Sequence, residues 1–208
     1  FLVDPVTGDI VYSVSKGLDF MTSLIDGPYA NTNFGKAFRK AREIKTPGAF
    51  VFVDFEKYLP YYDAPASFIA APIFESGNLV GVLVFQMPID RITEVMNERA
   101  GLGETGETYL VGSDHLMRSD SYFDPKNRSV VASFRNPESG KVETKGAREA
   151  LAGKSSAEII TDYQGKTVLS AYTPVEILGK RWALLAEIDQ AEAFSAEEDM
   201  MQTMLIAG

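Results

Sequence analysis

Residues 65–96 of the sequence, PASFIAAPIFESGNLVGVLVFQMPIDRITEVM, decide the fold. The apolar run 68–74 ends in a Glu-Ser-Gly-Asn turn, the β-branched run 79–85 follows, and Pro88 opens the next segment. Two extended runs joined by a short loop that contains glycine are typical of a β-hairpin. Proline is tolerated in the first turn of a helix. The stretch therefore predicts a hairpin followed by a helix.

The same pattern returns later in the chain as residues 167–194, TVLSAYTPVEILGKRWALLAEIDQAEAF. Pro72 lies five residues before Gly77 in the first copy, and Pro174 lies five residues before Gly179 in the second. Self-similarity at a fixed spacing is the mark of repeated structural units. The chain is therefore predicted to contain two copies of one small α+β domain.

The predicted domains are residues 1–100 and residues 101–208, each within the common size range for a domain. Gly101-Leu102-Gly103 marks the junction, since glycine just beyond the last periodic residue ends a helix. Each domain is expected to form a mostly antiparallel five-stranded sheet with flanking helices.

Hydrophobic periodicity predicts the remaining elements. The predicted strands are 1–3, 10–14, 49–55, 108–111, 116–118, 157–161, 167–173 and 181–188. The predicted helices are 34–44, 88–99, 147–152 and a final helix from near Gln190, while 15–33 and 119–141 are predicted to be loops. The first residue already lies in a strand pattern and the last nine become apolar, so both ends are expected to be cut from a longer protein.

Composition excludes several classes of function. The net charge of -9 repels phosphate backbones and anionic lipid, so no nucleic-acid partner is expected. The absence of cysteine removes thiol nucleophiles, disulfides and cysteine-bound zinc. His115 is the only histidine, so neither a His-Asp nucleophile system nor a multi-histidine metal site can form. We predict no catalytic site, no metal and no cofactor.

Several segments together resemble a known family, the double Cache sensor domains, whose two halves have a PAS-like fold. The segments that match the membrane-distal half are Tyr12-Ser13 with Lys16, Asp54-Phe55 with Tyr58, PASFIAAP at 65–72 and GVLVFQ at 81–86. The segments that match the membrane-proximal half are GETGETYLVG at 103–112 and Arg118-Ser119. The resemblance spans nearly the whole chain, and the GETGETYLV run is its most specific element.

The resemblance implies an extracytoplasmic, periplasmic sensor between two transmembrane helices of an inner-membrane protein. Such domains occur most often in methyl-accepting chemotaxis receptors, and also in sensor histidine kinases and cyclic-dinucleotide enzymes. By this resemblance residues 1–100 are the membrane-distal half, where a small molecule binds, and residues 101–208 lead to a transmembrane segment. We expect a homodimer in the full-length receptor. The Tyr, Arg, Trp-Tyr signature of the amino-acid-binding variant is not matched at 38–43, which has no tryptophan.

The residues with candidate ligand-binding chemistry lie in the first domain. They are Asp54, Tyr58, Tyr61, Tyr62, Phe68, Tyr29 and Lys16. A carboxylate ending an apolar strand is costly unless it is paired, so Asp54 either holds a ligand or caps the following turn. The tyrosines of 58–62 either line a pocket or form a lid packed on the core. Lys16 either meets a ligand carboxylate or is solvated.

Two functions follow from this sequence. The first is a sensor that binds an organic acid, an amine or a similar metabolite in the first domain and moves its last helix in response. The second is an interaction domain that docks a periplasmic binding protein or a second protomer without a small-molecule ligand. An enzyme ranks third, because no nucleophile, metal set or cofactor loop is present.

Overall fold

The computed structural model describes residues 1–195 of the chain. The chain divides into two compact units. The first comprises Phe1–Pro88 with Leu178–Lys180, and the second comprises Ile89–Ile177 and, among the described residues, 181–195. Each unit contains one antiparallel sheet with helices, which confirms the predicted α+β class. No helix among the described residues is long and apolar enough to cross a membrane.

The first unit contains a five-stranded sheet in the order β2-β1-β5-β4-β3. Its strands are β1 (Leu2–Val3), β2 (Ile10–Tyr12), β3 (Val51–Tyr58), β4 (Ala64–Glu75) and β5 (Asn78–Gln86). The pairing of β4 with β5 is the predicted hairpin, and it extends from Phe68↔Gln86 to Glu75↔Asn78 with one register shift between Ile73 and Phe74. The predicted strands 1–3 and 10–14 are also present as β1 and β2, which pair antiparallel with Leu2 opposite Tyr12.

Helix α1 (Asn33–Glu43) covers one face of this sheet. The hydroxyl of Thr32 caps it by accepting from the Gly35 amide, and its buried face carries Phe34, Ala37, Phe38 and Ala41. These residues lie at helical spacing and pack against the inward side chains of β3, β4 and β5. The predicted helix over 34–44 is therefore confirmed, and it covers the core of the first unit.

The repeated hairpin turns share one geometry. Ser76 and Gly77 have φ of 50° and 83°, and Leu178 and Gly179 have φ of 50° and 81°. Positive φ at both central residues defines the tight hairpin turn whose twist matches that of the flanking strands. The equal spacing from proline to glycine in the two copies therefore reports a real structural repeat.

The second unit contains a four-stranded sheet in the order β6-β9-β8-β7. Its strands are β6 (Glu107–Val111), β7 (Ser156–Thr161), β8 (Thr167–Ile177) and β9 (Lys180–Asp189). The predicted fifth strand, 116–118, makes only an isolated bridge between Val111 and Met117. Backbone hydrogen bonds join the two segments only from Gly112 to Leu116 and from Arg118 to Leu110. The backbone amides of Met117 and Leu110 donate instead to the hydroxyls of Ser133 and Ser119.

Six helices lie in the second unit among residues 1–195. They are α2 (Ile89–Met96), α3 (Pro125–Arg128), α4 (Val130–Arg135), α5 (Pro137–Gly140), α6 (Lys145–Leu151) and, after β9, α7 (Gln190–Ala193). The prediction of a loop over 119–141 was wrong, because α3, α4 and α5 occupy much of it. The predicted apolar end of the last helix lies outside the described residues.

Two glutamates lie in the core of the second unit. Glu107 and Glu187 are directly opposite each other on β6 and β9, and their exposed fractions are 6% and 5%. Glu187 accepts hydrogen bonds from the hydroxyls of Tyr109 at 2.7 Å and Ser170 at 2.8 Å. Burial nevertheless raises the pKa of Glu187 to about 7, with smaller contributions from the neighbouring carboxylates of Asp162 and Glu107.

Candidate functional site

The centre of the candidate site is Tyr58, the last residue of β3. Its side chain points to the α1 side of the sheet and is 0% exposed. Four rings surround it, with centroid distances of 5.2 Å to Phe68, 5.3 Å to Tyr61, 6.2 Å to Phe34 and 6.3 Å to Tyr29. We call these five residues the aromatic cluster.

A buried carboxylate lies against this cluster. The Tyr58 hydroxyl donates to Oδ2 of Asp19 at 2.7 Å, and Asp19 is itself 0% exposed. Burial raises the pKa of Tyr58, and the hydrogen bond to the Asp19 carboxylate adds to that rise. Oδ1 of Asp19 is also buried but has no hydrogen-bond partner in the described part of the chain. A buried carboxylate oxygen without a partner is costly, so this atom is a candidate contact for a donor on a ligand.

The loop between β2 and α1 holds Asp19 in place. The backbone amide of Ile10 donates to the Thr22 carbonyl, and that of Met21 donates to the Ile10 carbonyl. The hydroxyl of Thr22 donates to the Asp19 carbonyl at 2.7 Å. Met21 has a φ of 63°, a conformation that costs free energy in a residue other than glycine and persists where the surroundings fix it. Backbone pairing with β2 thus keeps the carboxylate under Tyr58.

Four of the predicted site residues are brought together. Tyr29, Tyr58, Tyr61 and Phe68 all belong to the aromatic cluster. Phe68 lies on β4, while Tyr61 belongs to the 3-10 turn Leu59–Tyr61 that follows β3. Burial raises the pKa of the Tyr61 hydroxyl as well, whereas Ser15, its hydrogen-bond partner, opposes that rise.

Asp54 lies in a β-bulge. Between Val53 and Glu56 the pairing of β3 with β4 shifts by one residue, so one residue of β3 is left without an opposite neighbour. The buried amide of Asn33 donates to the carbonyls of Asp54 and Ala66 and so satisfies backbone oxygens at the bulge. The Asp54 carboxylate is half-buried and accepts from the Phe55 amide at 2.7 Å.

The remaining two predicted residues lie outside the cluster. Tyr62 ends the 3-10 turn in the left-handed region and is 90% exposed. Lys16 places its ammonium over the rings of Tyr12 and Phe20, at 5.5 and 5.4 Å from their centroids. Such a contact is a cation–π interaction within the chain itself.

Sequence reasoning missed Asp19. The residue lies in a stretch without clear periodicity, between Leu18 and Phe20, where a carboxylate is ordinarily solvated. Its burial depends on pairing between the loop and β2, which no local pattern reports. The one available signal was the aromatic and apolar composition around it, at Phe20, Leu24 and Tyr29.

The Gly-Glu-Thr run that begins at Gly103 has a structural role within the second unit. The backbone amides of Glu104 and Thr105 donate to the Glu192 carboxylate at 2.7 and 2.8 Å, and the Thr105 hydroxyl also donates to it. Gly103 has a φ of 67°, which favours glycine, and a Cβ there would lie 2.2 Å from a Glu192 oxygen and displace that carboxylate. These bonds lower the pKa of Glu192 and tie α7 to the loop that precedes β6.

Solved structures share this fold. The periplasmic sensory domain of the Campylobacter jejuni chemoreceptor Tlp1 aligns with a TM-score of 0.53 at 20% identity, over 76% of this chain and 56% of that one. The ligand-binding domain of the Pseudomonas aeruginosa PAO1 amino-acid chemoreceptor PctC, in complex with GABA, aligns with a TM-score of 0.51 at 15% identity, over 90% of this chain and 72% of that one. This chain therefore spans little more than half the length of the Tlp1 domain.

The comparison with curated proteins found no match. The sequence profile of dCache_1, described as a Cache domain, matches residues 2–196. The match covers both units, and it agrees with the two antiparallel sheets and their repeated hairpins. The chain is thus a member of the dCache_1 family of Cache domains.

Proposed function

We propose that this chain is the extracytoplasmic ligand-sensing part of a transmembrane receptor, and that its first unit binds a small molecule carrying an ammonium or similar cationic group. The observation that carries the proposal is the buried Oδ1 atom of Asp19, which has no partner among residues 1–195. Membership of the Cache family supports the sensor role.

A cationic group suits this position for two physical reasons. An ammonium beside Asp19 would neutralise a buried charge and supply the missing hydrogen-bond donor. The rings of Tyr29, Tyr58 and Tyr61 stand close to that carboxylate, and each cation–π contact contributes roughly 0.5–2 kcal/mol. The guanidinium of Arg39, on α1, donates to the carbonyls of Leu24 and Ala30.

Ligand entry requires movement of the segments that cover Tyr58. Tyr61 is only partly buried and belongs to a short turn, and Tyr62 beside it is exposed. Displacement of this turn and of the loop that carries Asp19 would open the space next to Tyr58. A ligand that binds the displaced arrangement better than the closed one would shift the population between the two.

We further propose that residues 1–100 form the membrane-distal half and residues 101–208 the membrane-proximal half of a homodimeric receptor in an inner membrane. The conformational signal would leave through β9 and α7, which the Glu192 contacts hold to the second unit. We favour a methyl-accepting chemoreceptor as the full-length protein, and the alternative is a sensor histidine kinase or a cyclic-dinucleotide enzyme.

A second candidate function also has support from the structure. The rings of Phe34 and Phe68 stack at 4.6 Å, and Tyr58 is fully buried between its neighbours. Side chains therefore fill much of the space on this side of the sheet. A filled first unit would suit an interaction domain that docks a periplasmic binding protein or a second protomer.

Thermal-shift screening separates the two functions. Amines such as GABA and putrescine, organic acids and sugars would be tested against the wild type, Asp19→Asn and Asp54→Asn. A ligand present at 100 times its Kd stabilises the folded protein by about 2.7 kcal/mol. We expect an amine to stabilise the wild type and Asp54→Asn but not Asp19→Asn.

The unliganded variants provide the control for folding. Asp19→Asn removes a buried charge that lacks a full set of partners, so its melting temperature should equal or exceed that of the wild type. Equal stabilisation of all three proteins by an amine would refute the role of Asp19. The absence of any stabilising compound, together with capture of a binding protein, would favour the interaction domain.

A further inference from the structure

A groove in the second unit concentrates positive charge. It has a volume of about 560 Å³ and lies where α6 packs on β7. Four cationic side chains line it, namely Arg128, Lys141, Lys145 and Arg148. The whole chain carries a net charge of -9, so this cluster of positive side chains differs in sign from the protein as a whole.

Three of these four cations have no carboxylate partner in the described part of the chain. Lys145 forms an ion pair with Glu158. Arg148 donates to the backbone carbonyl of Glu143, and Lys141 makes no ion pair among residues 1–195. Of the two carboxylates in the groove wall, that of Asp162 already accepts two backbone amides in the β7–β8 turn.

Arg128 adds a second observation that points to an anion. Its guanidinium lies 5.3 Å from the centroid of the Tyr163 ring and donates through Nη1 to the Ser139 carbonyl. Its Nε atom is buried and has no acceptor among residues 1–195. A buried guanidinium N–H without an acceptor is costly, and an anion in the groove would supply one.

The groove also offers apolar surface. Ile159 is 47% exposed and lies in the groove wall beside Tyr163. The volume lies within the range of small-molecule sites, which combine apolar walls with a few convergent polar groups. A compact organic anion with more than one charge matches this combination better than a single halide ion does.

We infer that this groove is a second ligand site, separate from the Asp19 site, which takes a small organic anion with two or more negative charges. Carboxylates and phosphates share the chemistry that Lys141 and Arg148 recognise. Citrate therefore serves as the carboxylate probe and pyrophosphate as the phosphate probe.

Isothermal titration of the 208-residue chain in metal-free buffer tests the inference. The first variant is Lys141→Gln/Arg148→Gln. The matched control is Lys45→Gln/Lys180→Gln, which removes the same two charges at exposed positions outside the groove. We expect one probe to bind the wild type and the control with similar affinity, and the groove variant at least tenfold more weakly.

Each outcome decides the inference. Binding of citrate alone assigns the site to carboxylates, and binding of pyrophosphate alone assigns it to phosphates. Equally weakened binding to the groove variant and to the control would show that the probe is attracted by overall charge, and would overturn the inference. Failure of both probes to bind the wild type would also overturn it. Asp19→Asn should leave the titration unchanged, so the result is independent of the proposed amine site.

Discussion

Replacing Glu187 by glutamine should remove a pH dependence from the stability of the second unit. In the folded chain this carboxyl has a pKa of about 7, against an ordinary value of 4.5. Between these two values the folded state keeps a proton that the unfolded state has released. The contribution of Glu187 to the free energy of unfolding is therefore fully present below pH 4.5 and is lost as the pH rises through 7.

The size of this loss of stability follows from the pKa shift of Glu187. At about 1.36 kcal/mol per pKa unit, the loss between pH 5 and pH 8 is roughly 2–3 kcal/mol. Glutamine resembles the protonated carboxyl and has no charge to desolvate. Glu187→Gln should therefore match the wild type near pH 5 and exceed its free energy of unfolding by roughly 2–3 kcal/mol at pH 8. Glu107 and Asp162, the carboxylates that act on Glu187, are the same in both proteins.

Trp182 provides the assay. It is the single tryptophan of the chain, lies on β9 and is 1% exposed, so its fluorescence reports unfolding of the second unit. Urea unfolding would be followed at pH 5, 6, 7 and 8 for the wild type, Glu187→Gln and the exposed control Glu138→Gln. Parallel pH profiles for the wild type and Glu187→Gln would show that the buried carboxyl is ionised throughout and would refute the reasoning.

Three other substitutions test the fold. Glu192→Gln should speed hydrogen exchange at the amides of Glu104 and Thr105, because their charged acceptor is lost; unchanged exchange would contradict the proposed attachment of α7. Asn33→Ala should lower the free energy of unfolding by about 1–3 kcal/mol, since two buried carbonyls at the bulge lose their donor, and a change below 0.5 kcal/mol in urea unfolding would argue against that role. Leu178→Asn should raise the free energy of unfolding by about 1 kcal/mol, because asparagine tolerates positive φ better than leucine does, and a lowered melting temperature would contradict this.

The hairpins were predictable because their signals are local. Glycine at a fixed spacing from proline, between two apolar runs, specifies the turn at Ser76-Gly77 and again at Leu178-Gly179. The helix over 34–44 was predictable for the same reason, since four apolar residues at helical spacing lie within eleven positions.

The short helices of the second unit were not predictable from periodicity. α3, α4 and α5 have four to six residues, too few for a hydrophobic face to recur. Their start signals are present, because Asp124 and Ser129 accept from backbone amides as N-caps, and Pro125 and Pro137 lie in first turns. The sequence signal for these three helices therefore lies in their N-cap residues and first-turn prolines, and not in hydrophobic periodicity.

The candidate site was predictable only in part. Tyrosines grouped at 58–62 indicated an aromatic surface, and Tyr58 and Tyr61 do lie in the cluster. Asp54 attracted attention because it interrupts an apolar strand, which the bulge explains. The buried carboxylate at Asp19 depends on how a loop of irregular structure pairs with β2, and long-range pairing of this kind leaves no periodic trace in the sequence.

The most direct test of the sensor proposal is an experimental electron-density map of the chain with the best amine from the thermal-shift screen. The account predicts density for its ammonium within about 3 Å of Oδ1 of Asp19, with the rings of Tyr58 and Tyr61 beside it. A map in which the aromatic cluster stays closed and the amine is absent from Asp19, or bound elsewhere, would contradict the account.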